Sequence, residues 1–230
     1  MLAPRKTLWS TPQSAIDTAI AFADLHANDV VYDVGCGDGR VLIQMASKSI
    51  PVGSSSDSAV SPCDLPRNSQ HHHCHRFVGI EISPERAEEA RANVQRAKHD
   101  NRIGQHVSIE IKCANALEVD YNDATVIFLY LVPRGLRLIR PILWSQATNQ
   151  DTVLNRTTDS RDHPAACEKS QLNKRCSNTR QVQQNNNNQR PRRVITYMNP
   201  IENKVVLKKE LCKVGNVEGA AFPIYLYHLG

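Results

Sequence analysis

The chain has 230 residues, 40% of them hydrophobic and 22% charged, and this length suits one domain with room for insertions. The formal net charge is +5, but residues 146–192 contain eight basic and four acidic side chains, so the rest is nearly neutral and its basicity does not indicate a nucleic-acid partner. Seven cysteines without a regular framework favour a reducing compartment, and no stretch has the length of an apolar membrane span.

Apolar spacing predicts helices and strands that alternate along the chain. In chain order these are a helix from Pro12, a strand at 29–34, a helix at 39–48, a strand at 76–82, a helix capped by Ser83, strands at 107–117 and 124–132, a helix at 134–144 containing Pro141, and strands at 193–201, 204–214 and 222–229. The last two strands have no helix between them and only Gly215 and Asn216 at their turn. This order predicts an α/β fold, a Rossmann-like seven-stranded, mostly parallel sheet with helices on both faces and a C-terminal antiparallel hairpin.

Two polar stretches, at about 49–76 and 146–192, interrupt this pattern between elements. They contain few large apolar residues, so ordering them would not recover its entropy cost, and we expect surface loops. The chain is therefore predicted to be one domain, 1–230, interrupted by two low-complexity loops.

The segment DVGCGDG, residues 33–39, places a glycine-rich turn after the first strand. Such a turn lies at the carboxyl edge of a parallel sheet, where ligands bind. A dinucleotide-binding turn needs the spacing G-x-G-x-x-G, but here Arg40 stands where the third glycine should be. Asp33 and Asp38 would also repel a pyrophosphate. The turn therefore favours a cationic ligand without phosphate.

The pattern Asp33-x-Gly35-x-Gly37-x-Gly39 resembles motif I of the class I S-adenosylmethionine (SAM)-dependent methyltransferases. The resemblance implies SAM as cofactor, with the glycine backbone near its methionyl part and Asp33 orienting its amino group. It also implies that Glu81, the acid ending the second strand, binds the ribose hydroxyls. Glu81 lies 42 residues after Gly39, and omitting the 28 residues of the first insert leaves 14.

The same resemblance implies further cofactor contacts. Asn115 and Ala116, after the third strand, match positions near the adenine, although an asparagine at a strand end is as often a turn residue. Ile82, next to Glu81, is also predicted to contact the cofactor. Cys36 and Asp38 complete the cofactor-binding turn, where Cys36 serves as a small residue and not as a nucleophile.

The acceptor side is the part of the site that follows the fourth strand, with the sequence FLYLVPRG and no Asn-Pro-Pro-Tyr or Asp-Pro-Pro-Tyr motif. Together with VVYDVGCGDGRV and VGIEISP, it looks most like a compact subgroup that includes small bacterial methyltransferases and single-domain mitochondrial lysine methyltransferases. A lysine acceptor must arrive neutral although its ordinary pKa is about 10.4, so an apolar, aromatic channel would help. Tyr130, Pro133 and Tyr197 are the candidate catalytic-site residues, and packing is an equally good account of the two tyrosines.

Two other clusters receive a plainer interpretation. The run of His71, His72, His73, Cys74 and His75, with Cys63 upstream, contains zinc-type ligands without zinc-site spacing, so no metal site is predicted. The second cluster consists of three arginines on one side of the predicted helix, Arg134, Arg137 and Arg140. A solvated face is its default interpretation, and contact with an acidic protein surface or RNA is the alternative.

These observations leave three hypotheses. The first is a SAM-dependent methyltransferase acting on a protein side chain, with lysine preferred; the second is an RNA or small-molecule methyltransferase on the same scaffold; the third is an inactive SAM-fold binding module. The near-neutral core disfavours RNA, and the intact motif disfavours inactivity. We expect an intracellular protein, cytoplasmic or nuclear, without membrane insertion, and a mitochondrial location stays open because residues 1–16 contain no acid. The oligomeric state stays open.

Overall fold

A computed structural model describes residues 10–26, 28–48, 75–104, 107–155, 190–214 and 219–229, with 146–155 as backbone only. The helices are α1 (Gln13–Ala23), α2 (Arg40–Lys48), α3 (Pro84–His99) and α4 (Pro133–Asn155), with a 3₁₀ helix at Ala116–Glu118. The strands are β1 (Val30–Val34), β2 (His75–Glu81), β3 (Val107–Cys113), β4 (Val126–Leu129), β5 (Arg192–Tyr197), β6 (Lys208–Lys213) and β7 (Ala221–Leu229).

The seven strands form one sheet in the order β3-β2-β1-β4-β5-β7-β6. The first five are parallel, and β7 runs antiparallel between β5 and β6. The chain moves outward from β1 to β3 and then crosses to β4 on the other side of β1. The turn after β1 therefore lies at the topological switch point, the place where such sheets bind ligands.

Two apolar cores cover the two faces of the sheet. On one face, side chains of α1, α2 and α3 pack against alternate strand residues such as Val31, Phe77 and Phe128. On the other face, α4 packs over the intervening residues, among them Tyr32 and Ile127. The predicted mostly parallel α/β sheet, with helices on both faces and an antiparallel hairpin, is confirmed.

Local sequence explains the sharpest element boundary. Ser83 is the N-cap of α3, and its hydroxyl accepts a hydrogen bond from the Arg86 amide. Pro84 occupies the first turn, where its missing N–H leaves no hydrogen bond unmade. This helix begins where the sequence predicted, two residues after Glu81, the last residue of β2.

Other boundaries differ from the prediction. β4 covers four residues, not the predicted 124–132, because its partner β1 gives way to the glycine turn after Val34. Helix α4 begins at Pro133, runs through Pro141 and continues to Asn155, eleven residues past its predicted end at 144. Its last turns fall inside the stretch predicted as a loop, because polar composition alone does not prevent helix formation. β2 and β5 likewise begin at His75 and Arg192, within the predicted loop ends.

Several predicted features lie outside the described residues. They are the N-terminal residues 1–9, the cluster of Cys63, His71, His72, His73 and Cys74, and the turn at Gly215 and Asn216. Within the described ranges, no helix is long and apolar enough to cross a membrane, and no group of three His, Cys, Asp or Glu side chains is placed to hold a metal ion.

Candidate functional site

The turn between β1 and α2 needs its glycines for backbone conformation. Gly35, Gly37 and Gly39 have φ angles of +81°, +55° and +78°, in the left-handed region that other residues avoid. The amides of Gly35 and Cys36 both donate to the Ile80 carbonyl, at 2.8 and 3.0 Å. These bonds draw the turn against the end of β2, so the carboxyl ends of β1 and β2 meet there.

Space around the turn is unequal. A Cβ added at Gly35 would lie 3.4 Å from a methyl carbon of Leu131, and one at Gly39 would lie 3.4 Å from the Cβ of Ala90. A Cβ at Gly37 would have no described atom within 4 Å. The turn is therefore packed against Leu131 at Gly35 and against α3 at Gly39, while the backbone at Gly37 faces open space that a ligand could fill.

Glu81 joins the turn to the end of β2. Its side chain is buried, and its Oε2 accepts a hydrogen bond of 3.1 Å from the Gly37 amide. Its Oε1 accepts one of 3.0 Å from the amide of Ser83. The structure thus brings Glu81 to the glycine turn across the first insert, as the sequence predicted, while its contact with a ribose stays a prediction.

Asp33 is the most unusual group of the site. Its side chain lies on the face covered by α1, α2 and α3, only 3% exposed, and no described residue donates a hydrogen bond to its Oδ2. Burial, followed by the negative charges of Asp38 and Glu81, raises the pKa of Asp33 to about 8. Since a carboxylate without donors is poorly solvated in the interior, this group is mainly protonated at neutral pH.

Asp38, the other acid of the turn, has a basic partner. Arg40 donates from Nε to both Asp38 oxygens, at 3.0 and 2.9 Å, and from Nη2 at 2.5 Å. Burial pushes the pKa of Asp38 upward, but the hydrogen bonds from Arg40 outweigh it and hold the pKa below its usual range. The Asp38 carbonyl also accepts from the Asn93 amide group at 2.9 Å, which fixes the turn to α3. Asp38, expected from the sequence to act as an unpaired negative charge, is paired with Arg40.

The predicted adenine side lies at the ends of β2 and β3. Ile82 is 49% exposed and Leu117 is 39% exposed, so apolar surface is available there. The Asn115 Oδ1 accepts from the Leu117 amide at 3.1 Å, and its Nδ2 donates to Glu118 at 2.8 Å. Asn115 is thus the cap of the 3₁₀ helix, with half-buried Ala116 as its first residue. An adenine contact by Asn115 or Ala116 stays a prediction.

On the acceptor side, Tyr130 and Tyr197 meet at the ends of β4 and β5. Their ring centroids are 5.0 Å apart at 64°, an edge-to-face contact. Tyr197 is 1% exposed, and burial, followed by the charges of Tyr130 and Cys212, raises its pKa to about 12. Half-buried Tyr130 lies nearer the surface, and exposed Pro133 begins α4. Their roles toward an acceptor stay predictions, although the burial of Tyr197 fits the packing account.

Sequence reasoning missed Met198, which follows β5. It has a φ of +70°, an unfavourable conformation for a residue of this size. Its amide donates to the Pro223 carbonyl at 2.8 Å, and its sulfur accepts from the Tyr130 hydroxyl at 3.1 Å. The next residue, Asn199, donates to the Leu131 carbonyl at 3.1 Å, which links the ends of β4 and β5. No motif marks either residue, so only the fold could reveal them.

Comparison with known proteins supports the fold. No protein-family model matches the chain. A protein described as protein-lysine N-methyltransferase from Saccharolobus islandicus (strain REY15A) is 31% identical over 133 residues, which are 58% of this chain and 65% of that relative. The chain therefore spans just under two thirds of the relative's length.

Solved structures match over almost the whole chain. An RNA methyltransferase from Salinibacter ruber, in complex with S-adenosyl-L-homocysteine (SAH), is 22% identical with a TM-score of 0.56, covering 96% of this chain and 94% of its own. A precorrin 8w decarboxylase from Methanobacterium thermoautotrophicum is 14% identical with a TM-score of 0.49, covering 97% and 92%. Sheet order, the glycine turn at the switch point and the Salinibacter ruber match together identify the chain as one with the class I SAM-dependent methyltransferase fold.

Proposed function

We propose that the protein is a SAM-dependent methyltransferase that binds its cofactor over the glycine turn. The observation that carries this proposal is the buried Asp33 carboxyl, whose Oδ2 has no described donor, beside a turn closed by Glu81. Among the described residues, the guanidinium at the turn is that of Arg40, and it donates to Asp38. A phosphate would find acids there and no unengaged cation, whereas a cofactor that carries an ammonium and a sulfonium would find complementary charge.

The residues present fit this cofactor. The open space over Gly37 allows close approach of the methionyl part, and Asp33 lacks the kind of donor that an ammonium supplies. Glu81 would accept from the ribose hydroxyls, since each carboxylate oxygen has a second lone pair beyond its bond to Gly37 or Ser83. Exposed Ile82 would lie against the adenine. When bound, the cofactor supplies a methyl group activated by a sulfonium.

We propose a protein lysine as the methyl acceptor. The name of the Saccharolobus islandicus relative supports this choice. The apolar and aromatic ends of β4 and β5, with Tyr130 half-buried against Tyr197, also support it. In such surroundings the amine loses its proton more readily than in water, which a nitrogen acceptor requires. The chain's remaining contribution is to align the amine and exclude water.

RNA is the second candidate acceptor. The Salinibacter ruber structure is described as an RNA methyltransferase, and Arg134 and Arg137 lie in the first turns of α4 beside the acceptor side. We rank RNA below protein because Arg137 is paired with Glu202 at 3.5 Å, which reduces the positive field available to phosphates.

Transfer of tritium from methyl-labelled SAM to a cell extract tests the proposal. We expect label that survives nuclease, disappears with protease, and is recovered as methyl-lysine after acid hydrolysis. Label found only in nuclease-sensitive material would replace lysine with RNA, and the absence of transfer to any fraction would contradict the proposed activity.

A pair of glutamate variants connects the activity to the site. We expect Glu81→Gln to weaken SAH binding and lower transfer at least tenfold, because it removes a carboxylate that holds the turn. Glu88→Gln is the matched control, since Glu88 is an exposed acid on α3 paired with Arg91. Equal SAH affinity in the two variants would remove Glu81 from the cofactor site.

A further inference from the structure

Asp33 differs from the neighbouring acids in having a buried oxygen without a partner. Glu81 accepts from two backbone amides, and Asp38 accepts from Arg40. The Oδ2 of Asp33 accepts from no described residue although the side chain is 97% buried, the complement of its 3% exposure. An ionised carboxylate in this position would be desolvated without compensation, so the carboxyl favours its protonated form.

The charged groups that act on Asp33 are acids. Asp38 in the turn and Glu81 at the end of β2 both raise the pKa of Asp33, after burial as the larger cause. The strands paired with β1 place Gly79 and Phe128, which do not titrate, at the level of Asp33.

The remaining titratable neighbours carry no free positive charge. The Cys36 thiol stays neutral, because burial and the nearby acids raise its pKa. Arg40, at the start of α2, donates to Asp38. No cation among the described residues of α1 or α2 is a cause of the Asp33 shift. A positive ligand group would therefore be the first cation to act on Asp33 directly.

We infer that the ammonium of the bound cofactor displaces the proton of Asp33, so that each cofactor molecule releases one proton to the solvent when it binds. The O–H bond of the Asp33 carboxyl breaks, its proton passes to the buffer, and the carboxylate then pairs with the ligand's ammonium. This inference rests on the proposed function, because it requires a ligand that carries an amino-acid group.

Proton release makes cofactor affinity depend on pH. Since burial raises the pKa of Asp33 to about 8, the carboxyl is mainly protonated from pH 6.0 to 7.5. From pH 6.0 to 7.0 the association constant should then rise close to tenfold, and over the full interval to pH 7.5 about 20-fold. The window ends at pH 7.5 because a ligand α-amino group itself begins to titrate at about 8.

Isothermal titration calorimetry of SAH binding to the full chain tests the inference. Titrations at pH 6.0, 6.5, 7.0 and 7.5, each in two buffers that differ in ionisation enthalpy, give Kd and the number of protons released. We expect nearly one proton per SAH at pH 6.0, about half a proton at pH 7.5, where the ligand amine also takes one up in part, and a Kd that falls by about 20-fold over the window. A Kd that changes less than threefold, with no proton released, overturns the inference.

Two controls assign the effect to Asp33 and the ammonium. 5′-Methylthioadenosine retains the adenosine and sulfur of SAH but has no ammonium, so its Kd should stay within twofold across the window. Asp33→Asn should flatten the SAH profile, while Asp17→Asn, an exposed acid of α1, should keep the wild-type slope. Because 5′-methylthioadenosine is tested on the wild-type chain, the inference remains falsifiable even if Asp33→Asn does not fold. Equal slopes for SAH and 5′-methylthioadenosine overturn it.

The same titrations separate the two proposals. SAH binding with a flat pH profile overturns the proton exchange and leaves the proposed function intact. If neither SAM nor SAH binds at any pH, the proposed function fails and the proton exchange fails with it.

Discussion

Two buried acids flank β1 and differ in how they are satisfied. Asp29, just before the strand, accepts from the Arg193 Nη2 at 2.7 Å, the Thr125 hydroxyl at 2.6 Å and the His26 amide at 2.7 Å. Asp33, near the other end of the strand, has an oxygen with no described donor. Both side chains are less than 10% exposed, so solvent does not account for the difference. At the amino edge of the sheet both oxygens of the buried carboxylate are paired, whereas at the carboxyl edge the buried carboxyl keeps an oxygen without a described donor.

The hydrogen-bond network of Asp29 and Arg193 at the amino edge holds several elements together. Arg193 lies on β5, and besides Asp29 it donates to the carbonyls of Ala23 and Asp24 at the end of α1. Only its Nε has no described acceptor. This network joins α1, β1, β4 and β5 at one end, while the other end has the unpartnered Asp33 oxygen and the left-handed Met198. Proteins commonly break local rules in this way at functional sites.

The largest effect is expected from breaking the amino-edge pair. Arg193→Met leaves the Asp29 carboxylate buried without its charged partner, so we expect unfolding free energy to fall by about 3–5 kcal/mol. Urea denaturation measures this, with Arg190→Met as the control, because Arg190 forms an exposed pair with Asp24 and should change stability by less than about 1 kcal/mol. SAH affinity of the folded variant should stay unchanged. A loss below about 1 kcal/mol for Arg193→Met would show that the two edges do not differ as described.

Asp33→Asn should raise the free energy of unfolding, whereas Arg193→Met lowers it. The pKa of Asp33 rises from its ordinary 3.8 to about 8 in the folded chain, so folding retains a proton that the unfolded chain has lost. The contribution of Asp33 to the free energy of unfolding is therefore fully present below about pH 4 and is lost as the pH rises to about 8. At pH 7.5, the amide should stabilise the ligand-free protein by about 2–4 kcal/mol, at the expense of SAH binding.

Urea denaturation of both proteins at pH 5.0, 6.5 and 8.0 measures this effect. The stability difference between Asp33→Asn and the wild type should grow with pH. If the difference is constant, or if the variant is less stable at pH 8.0, Asp33 has a donor after all and the contrast with Asp29 is lost.

A third effect is expected beneath the glycine turn. A Cβ at Gly79 would lie 2.7 Å from Ile111 Cδ1 and 2.8 Å from Cys36 Sγ, so Gly79→Ala should push on the turn from below. We expect a loss of about 1–3 kcal/mol together with weaker SAH binding, because Cys36 belongs to the turn. Adding Ile111→Val removes the nearest clashing carbon and should recover part of both losses. Lost stability without any change in SAH affinity would separate Gly79 from the site.

Much of this carboxyl edge could be predicted from the sequence because its signals are local. The glycines of the turn, the cap at Ser83 and the strand end at Glu81 each follow from a few neighbouring residues. Parallel strands then bring Glu81 to Gly37, whatever the length of the insert between them. Packing was one of the two accounts that the sequence offered for each of Tyr130 and Tyr197, but their contact with each other appears only in the fold.

Side-chain pairing was not predictable in the same way. Asp29 and Arg193 are 164 residues apart, and only the adjacency of β1, β4 and β5 brings them together. Asp38 is neutralised by Arg40, which the sequence argument used only to reject a dinucleotide motif. The decisive contrast between paired and unpaired acids therefore required the fold, because composition shows charges and not their partners.

The smallest effect is expected at the acceptor-side rim, formed by Arg134 and Arg137 at the start of α4. It tests which methyl acceptor binds at the carboxyl edge beside the cofactor. Arg137 and Glu202 form a pair whose side chains are 55% and 57% exposed, so the double variant Arg134→Ala, Arg137→Ala should change stability by less than about 1 kcal/mol.

If the acceptor is a protein lysine, kcat/KM of this double variant for transfer to extract protein should stay within about threefold of the wild type. If it is RNA, two phosphate contacts are lost, and both acceptor affinity and its salt dependence should decrease. Arg102→Ala, equally exposed and paired with Asp100 at 3.8 Å, is the matched control. A loss specific to the rim arginines, with a reduced salt slope, would reassign the acceptor to RNA without disturbing the contrast between Asp29 and Asp33, because that contrast concerns the cofactor alone.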